Sequence, residues 1–354
     1  MPARKYLIKN MWSLKMKKII LVLMIILLAF SAYAGDESRK GSTGAEQLLI
    51  PVGARGIATG GAFIASLTGL ESIYYNPAGL DITSRTEAMF SYMNYIADIN
   101  ISYFAVGTTL GDIGSIGLSF KTFDFGDIPV TTNELPDGTG KTYSPVFLTA
   151  ALTYSKVLTD RISVGTNFKL ISESIENTSA NGFAIDVGVQ YKFSPSLMMG
   201  AALKNVGTNM TYAGQNLRQS TGVPGSNLGA PNATWEVVTE SFQIPSYFEL
   251  SLAYNYSVNE QNSLMLGSTF TANNSLEDKF HFGLEYGFMN SFFLRGGYNF
   301  LTENNDQSIF GFTAGAGVNY DFGTGIGISF DYAFREVKEF PTQNHIFTVK
   351  MFFE

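Results

Sequence analysis

The sequence predicts an all-β protein: a transmembrane antiparallel up-and-down β-barrel of about fourteen strands, with an N-terminal segment folded into the lumen. Three observations carry this. From about residue 86 onward, apolar and polar residues alternate with a period of two, the spacing of strands whose side chains point in turn to opposite faces. The connections between these segments alternate between tight turns and longer polar loops. An export-type leader precedes the alternation, and no later run approaches the roughly 18 apolar residues that mark a spanning helix. A membrane crossing by the rest of the chain must therefore use strands.

The leader comes first in the chain. Arg4, Lys5, Lys9, Lys15, Lys17 and Lys18 are its basic residues, and residues 1–34 hold no acidic one. An unbroken apolar run covers Ile19 to Phe30, and Ala32-Tyr33-Ala34 gives a small-x-small pattern before Gly35. This order of charge, apolar run and small residues reads as a signal peptide over 1–34. With those six cations removed, the remainder is more acidic than the formal −7 of the whole chain, which argues against nucleic-acid binding. The absence of Cys excludes disulfides, thiolate metal sites, Cys nucleophiles and an N-terminal lipid-bearing Cys. Hydrophobic content is 45%, with 36 Gly, 29 Phe, 18 Tyr and only 15% charged residues. Glycine and aromatics with little charge suit a β-rich chain.

Strands are expected over 86–95, 98–110, 113–125, 146–157, 161–173, 181–193, 197–206, 246–257, 262–272, 279–289, 291–301, 307–320, 324–335 and 344–353. The pattern is plain in Ile326, Ile328, Phe330, Tyr332 and Phe334 against Gly327, Ser329, Asp331 and Ala333. Alternation alone allows a soluble sandwich as well as a barrel. The connections separate the two. Gly111-Asp112, Leu158–Asp160, Ser194-Pro195-Ser196, Val258–Gln261, Asn290 and the turn at Phe322-Gly323 are short. On the opposite side, 126–145, Ser174–Ala180, 207–245, Asn273–Asp278, Thr302–Asp306 and Glu336–Gln343 are mostly longer. Outer-membrane barrels have short periplasmic turns and long outer loops. Their closure also removes sheet edges. The last strand, with His345, Phe347, Val349, Met351 and Phe353 on one face, resembles the terminal assembly signal of outer-membrane proteins, apart from Glu354 at its end.

Residues 35–85 do not alternate. They are expected to form a plug inside the barrel, where small residues allow close approach. The stretch contains Val52-Gly53-Ala54-Arg55 and then Glu71-Ser72-Ile73-Tyr74-Tyr75-Asn76-Pro77-Ala78-Gly79-Leu80. No nucleotide-binding glycine pattern is present, and Asn76-Pro77 favours a turn. The plug motif Tyr75, Asn76, Pro77, Ala78 and Gly79, ahead of a many-stranded barrel, resembles the FadL-like outer-membrane superfamily. Within it, the two quoted stretches look most like the PorV/PorQ family. The resemblance implies fourteen strands, a lumenal N-terminal segment and a place in the outer membrane of a Gram-negative-type bacterium. It implies a role in type IX protein secretion and surface attachment, with the C-terminal domains of secreted cargo and the secretion translocon as protein partners. The alternative it implies is a FadL-like transporter of hydrophobic small molecules, with a hydrophobic ligand and outer-membrane lipid as partners.

No catalytic set is expected. The two histidines, His281 and His345, are far apart in sequence, and neither HExxH nor GxSxG occurs. His281 and Glu285 share a strand face but stand ~13 Å apart, too far to hold one ion. No enzyme activity, metal or cofactor is expected. By the alternation, Asn167, Lys169, Asp186, Gln190, Lys192, Glu249, Glu285, Arg295, Asn319 and Asp331 should face the lumen, as a network holding the plug or as a ligand path. Loop 207–245, with Tyr212, Arg218, Leu228 and Trp235, is the leading candidate for partner binding, because long loops on a rigid scaffold commonly carry function.

Overall fold

The computed structural model describes residues 41–227 and 230–353. The leader expected over 1–34 and Leu228 lie outside the described residues. Fourteen strands form the barrel. They are β1 (Thr86–Asn94), β2 (Asn100–Thr109), β3 (Ser115–Asp124), β4 (Val146–Val157), β5 (Ile162–Ile175), β6 (Thr178–Lys192) and β7 (Leu197–Gly207), followed by β8 (Tyr247–Ser257), β9 (Ser263–Asn273), β10 (Lys279–Phe288), β11 (Phe292–Leu301), β12 (Phe310–Asp321), β13 (Ile326–Val337) and β14 (Asn344–Phe353). Each pairs antiparallel with its sequence neighbours, and β14 closes the ring on β1 from Thr86↔Phe353 to Asn94↔His345. One extra two-residue strand, Ala213–Gly214, adds to β6.

The barrel is apolar outside and polar inside. In β13, Ser329, Asp331 and Arg335 are buried while Phe330 is half exposed. In β5, Asn167 and Lys169 are buried while Phe168 and Leu170 are exposed. The outward residues form the lipid-facing surface of a transmembrane barrel. The short turns mark its periplasmic end and the longer loops its outer end.

Three local features depart from the expected pattern. Ser174–Ala180 is not a loop: β5 and β6 run on to Ile175 and Thr178, joined by Glu176-Asn177. Glu176 takes a left-handed φ of 52, as such tight turns require. Strand β7 carries a bulge, because Ile185 pairs with Val206 but Val187 pairs with Leu203. Asp186 thus faces both Lys204 and Asn205, and both of those consecutive residues are buried. A bulge re-aims a side chain that strict alternation would send to lipid. A second shift lies in β12, between Phe310 and Thr313.

The segment from Ala45 to Ile82 lies within the lumen as short helical turns, mostly buried. Asn76 caps the turn Pro77–Ile82: its Oδ1 accepts from the Ala78 N–H at 3.2 Å. Pro77 has no N–H to satisfy and suits the first position of the turn.

Candidate functional site

The plug is held by backbone approach and by polar side chains of the wall. Glycines on the inner face make the approach possible. A Cβ on Gly188 would lie 2.0 Å from Asn76 Oδ1, and one on Gly165 would lie 2.4 Å from the Pro77 carbonyl. On the other side of the barrel, a Cβ on Gly297 would lie 2.4 Å from Gly60 N. Glycine inside a strand marks such close passage of another backbone. These glycines stand on the polar parity of their strands, a signal that was readable in the sequence.

Each element of the plug motif is buried. Asn76 Nδ2 donates to the carbonyls of Ile64 (3.2 Å) and Val189 (3.0 Å), tying plug to wall. The Ala78 carbonyl accepts from Ser155 and Ser163. Gly79 packs so closely on Leu67 that a Cβ would fall 2.2 Å from its carbonyl oxygen. Tyr75 is buried, and among the described residues its hydroxyl has no partner.

The inward polar residues fall into two groups. Lys169 pairs with Asp186 at 2.6 Å, and Asn167 donates to Asp186 (3.1 Å) and to the Ile73 carbonyl (2.7 Å). Gln190 donates to the Ile64 and Leu67 carbonyls. Across the lumen, Glu285 accepts from Arg295 Nε at 2.5 Å and from two nitrogens of plug Arg55 at 2.9 Å each. Arg295 also reaches Asp331 at 2.5 Å, passing over Gly317, where a Cβ would collide with both groups. Glu249 is buried on β8, and its Oε1 accepts from Thr271 at 3.1 Å. Two positions differ from the inward reading. Lys192 shares the inner parity but is the last residue of β6, and it is exposed at the periplasmic rim. Asn319 is only partly buried near the end of β12.

Glu71, in the plug, is 3% exposed and neither carboxyl oxygen has a hydrogen-bond partner among the described residues. Burial pushes this carboxyl above its ordinary pKa, since an unpaired charge is costly away from water.

Between the plug and the outer end lies a cavity of about 570 Å3, within the range of small-molecule sites. Gly60, Gly61, Ile57, Tyr74 and Tyr75 of the plug line its inner side. Its walls come from β7 to β13, and Leu276, Glu277, Ser308 and Ile309 of the outer loops stand at its mouth. Lys204, on the inward parity of Gly200 and Ala202, stands here beside Asn205, which the bulge turns inward: its ammonium donates to the Tyr74 carbonyl and lies 4.1 Å over the Tyr74 ring. Arg335 lies 4.0 Å over Phe310 on the far wall. His281 also lines the cavity, bonded to the Gly60 carbonyl at 2.7 Å and to Thr271 at 3.1 Å. Sequence reasoning missed this role, because alternation gives direction and not neighbours. His345, by contrast, is exposed and meets Tyr332 at 2.8 Å.

Loop 207–245 is partly ordered against the barrel. Tyr212 donates to Glu173 of β5 and packs on Phe242. Farther out, Arg218–Thr221 and Ala233–Glu236 form a two-stranded ribbon in which Arg218 meets Glu236 at 3.4 Å and Trp235 is 49% exposed.

No family model and no curated protein matches the chain. Solved structures do. The CymD monoaromatic hydrocarbon channel is similar with a TM-score of 0.55 at 12% identity, over 86% of this chain and 98% of that one. The toluene transporter TbuX of Ralstonia pickettii is similar at 0.53 and 13%, over 86% and 98%. A FadL homologue of Pseudomonas aeruginosa gives 0.54 and 12%, again over 86% and 98%. The shared feature is the fold: a closed antiparallel barrel of fourteen strands, like those of the FadL homologue and the hydrocarbon channels.

Proposed function

We propose that the protein admits small hydrophobic molecules from outside the cell into the lumenal cavity, for passage across the outer membrane. The cavity itself carries this reading. It is sized for a small molecule, stands at the outer end, and is walled by Tyr74, Tyr95, Tyr247, Phe300 and Phe310. Aromatic walls with a few fixed polar groups are the usual make-up of a small-molecule site. The hydrocarbon channel and toluene transporter named above share the fold, which supports the same reading. Because the plug lines the inner side of the cavity, onward passage requires the plug or the wall to move. Uptake of radiolabelled naphthalene by cells carrying the barrel, set against cells carrying Ile309→Trp at the cavity mouth, tests the proposal. Uptake should fall several-fold in the variant. Equal uptake, with both barrels folded, would reject the cavity as the route. On this reading the residues bind and orient, and catalyse nothing.

A second reading is a PorV-like part in type IX secretion, binding cargo C-terminal domains. It is favoured by Trp235, Val237 and Val238, which are 49%, 62% and 91% exposed at the ribbon. Long outer loops with exposed apolar residues suit protein contact. Deleting 212–235 should then abolish cargo attachment and spare hydrophobe uptake. Attachment that survives the deletion, with a folded barrel, would remove this reading's support.

A further inference from the structure

We infer that the cavity selects uncharged aromatic molecules that carry a hydrogen-bond donor, with the Glu249 carboxyl as the acceptor. This rests on the proposed function and names its substrate class. The inference begins with proton counting along a chain that crosses three strands. His281 Nδ1 lies 2.7 Å from the Gly60 carbonyl, which can only accept, so Nδ1 carries a proton. His281 Nε2 lies 3.1 Å from Thr271 Oγ1, which in turn lies 3.1 Å from Glu249 Oε1. Thr271 has one proton to give. If it goes to Glu249, then Nε2 must be protonated and donate to Thr271. If it goes to Nε2, then Glu249 Oε1 must hold a proton and donate to Thr271. Both arrangements use the same number of protons, and both leave Glu249 Oε2 as an acceptor without a donor.

The structure supplies none. Oε2 is buried in the cavity wall with no hydrogen-bond partner among the described residues, and the Tyr75 hydroxyl, in the same cavity's lining, also has none there. Of the cavity's cations, Lys204 donates to the Tyr74 carbonyl and Arg335 to the Asn344 side chain at 2.6 Å; Lys279 lines the cavity as well but makes no hydrogen bond to Oε2. A small rotation of the carboxyl toward the cavity would let a ligand O–H or N–H complete Oε2. The surrounding rings suit a flat aromatic body. A bare hydrocarbon leaves Oε2 unmet. An anionic ligand would meet Glu249 as a like charge at this acceptor, although Lys204, Lys279 and Arg335 line the cavity with Glu46 and Glu277.

The test uses the full barrel in lipid nanodiscs, with empty nanodiscs as the blank. Equilibrium dialysis compares naphthol, its methyl ether, naphthalene and naphthoate. Naphthol should bind about tenfold more tightly than the ether, which has nearly the same shape and cannot donate, as befits one added hydrogen bond to a buried acceptor. In Glu249→Gln, whose amide would offer a donor in place of Oε2, the preference should vanish or reverse. Equal binding of naphthol, ether and naphthalene would overturn the inference and leave the hydrophobe route standing. Tightest binding of naphthoate would also overturn it, with Lys279 as the reading group. No binding of any of the four beyond the blank would instead reject the proposed function.

Discussion

The two sides of the lumen use the same kinds of residue to opposite ends. On the β3–β7 side, the outer half is filled. Ala45, Leu48, Ile171, Ala180, Met210 and Ile244 form an apolar cluster there. The polar groups beneath it are spent on the plug: Lys121 donates to the Gln47 and Ile50 carbonyls at 2.7 and 3.0 Å, and Asn167 holds Ile73. On the β8–β13 side, the outer half is the cavity. There Glu249 keeps one oxygen unmet, and His281, with Lys204 of the adjoining β7, touches the plug from a position that also lines open space. Both sides hold the plug, the second through Glu285 and Arg55. Inward charge by itself distinguishes neither, because both sides carry it. The packing of the outer half does: one side is filled and the other open.

The largest effect is expected on the filled side. Gly188→Val places side-chain carbons where Asn76 now sits. It should destabilise the seated plug by about 3 kcal/mol, read as protease cleavage within 45–82 while the barrel still migrates as a folded species. An uncleaved plug would mean that the glycine contacts are not what seats it. Next comes Glu285→Ala, which strips both Arg55 and the buried Arg295 of their shared carboxylate. Removal of one partner from a buried ion pair costs about 3–5 kcal/mol. Arg55 is partly exposed, so the lower end is expected in urea unfolding in detergent.

A smaller effect concerns Glu71. Burial raises its pKa, so the folded chain holds the proton more tightly than the unfolded chain does. The stability that goes with this is full at pH below the ordinary carboxylate value. It is lost as pH rises through the raised value. Glu71→Gln should therefore stabilise the protein by about 1 kcal/mol at neutral pH and not at all near pH 4, as read from the unfolding midpoint at each pH. A gain that is independent of pH would assign the effect to shape and not charge. The smallest effect on stability is expected at the cavity mouth: Ile309→Trp should leave unfolding within about 0.5 kcal/mol of the parent while cutting ligand binding.

The barrel was legible in the sequence because lipid imposes a strict period on every strand. Ile326 to Phe334 could only be one face, and the alternation of turn and loop lengths supplied the sense of the barrel. The cavity was not legible. Strand β7 reads as continuous through Leu203-Lys204-Asn205-Val206, yet the bulge turns Asn205 inward beside Lys204. His281 reads as a lone inward residue, and its partners Gly60 and Asn299 come from the plug and a neighbouring strand. Asn76-Pro77-Ala78-Gly79 pointed to the plug, while Gly165 and Gly188, the wall residues that receive it, read as small and inward but gave no sign of which segment they meet. Contacts between segments distant in sequence leave no period to read.

The account's central claim is that the space above the plug on the β8–β13 side holds a hydrophobic molecule. Crystals of the full barrel soaked with bromonaphthalene test it most directly. The account predicts an anomalous bromine peak in the cavity between Tyr74, Tyr247 and Phe310. Bromine found only on the lipid-facing surface, with the cavity empty, would contradict it.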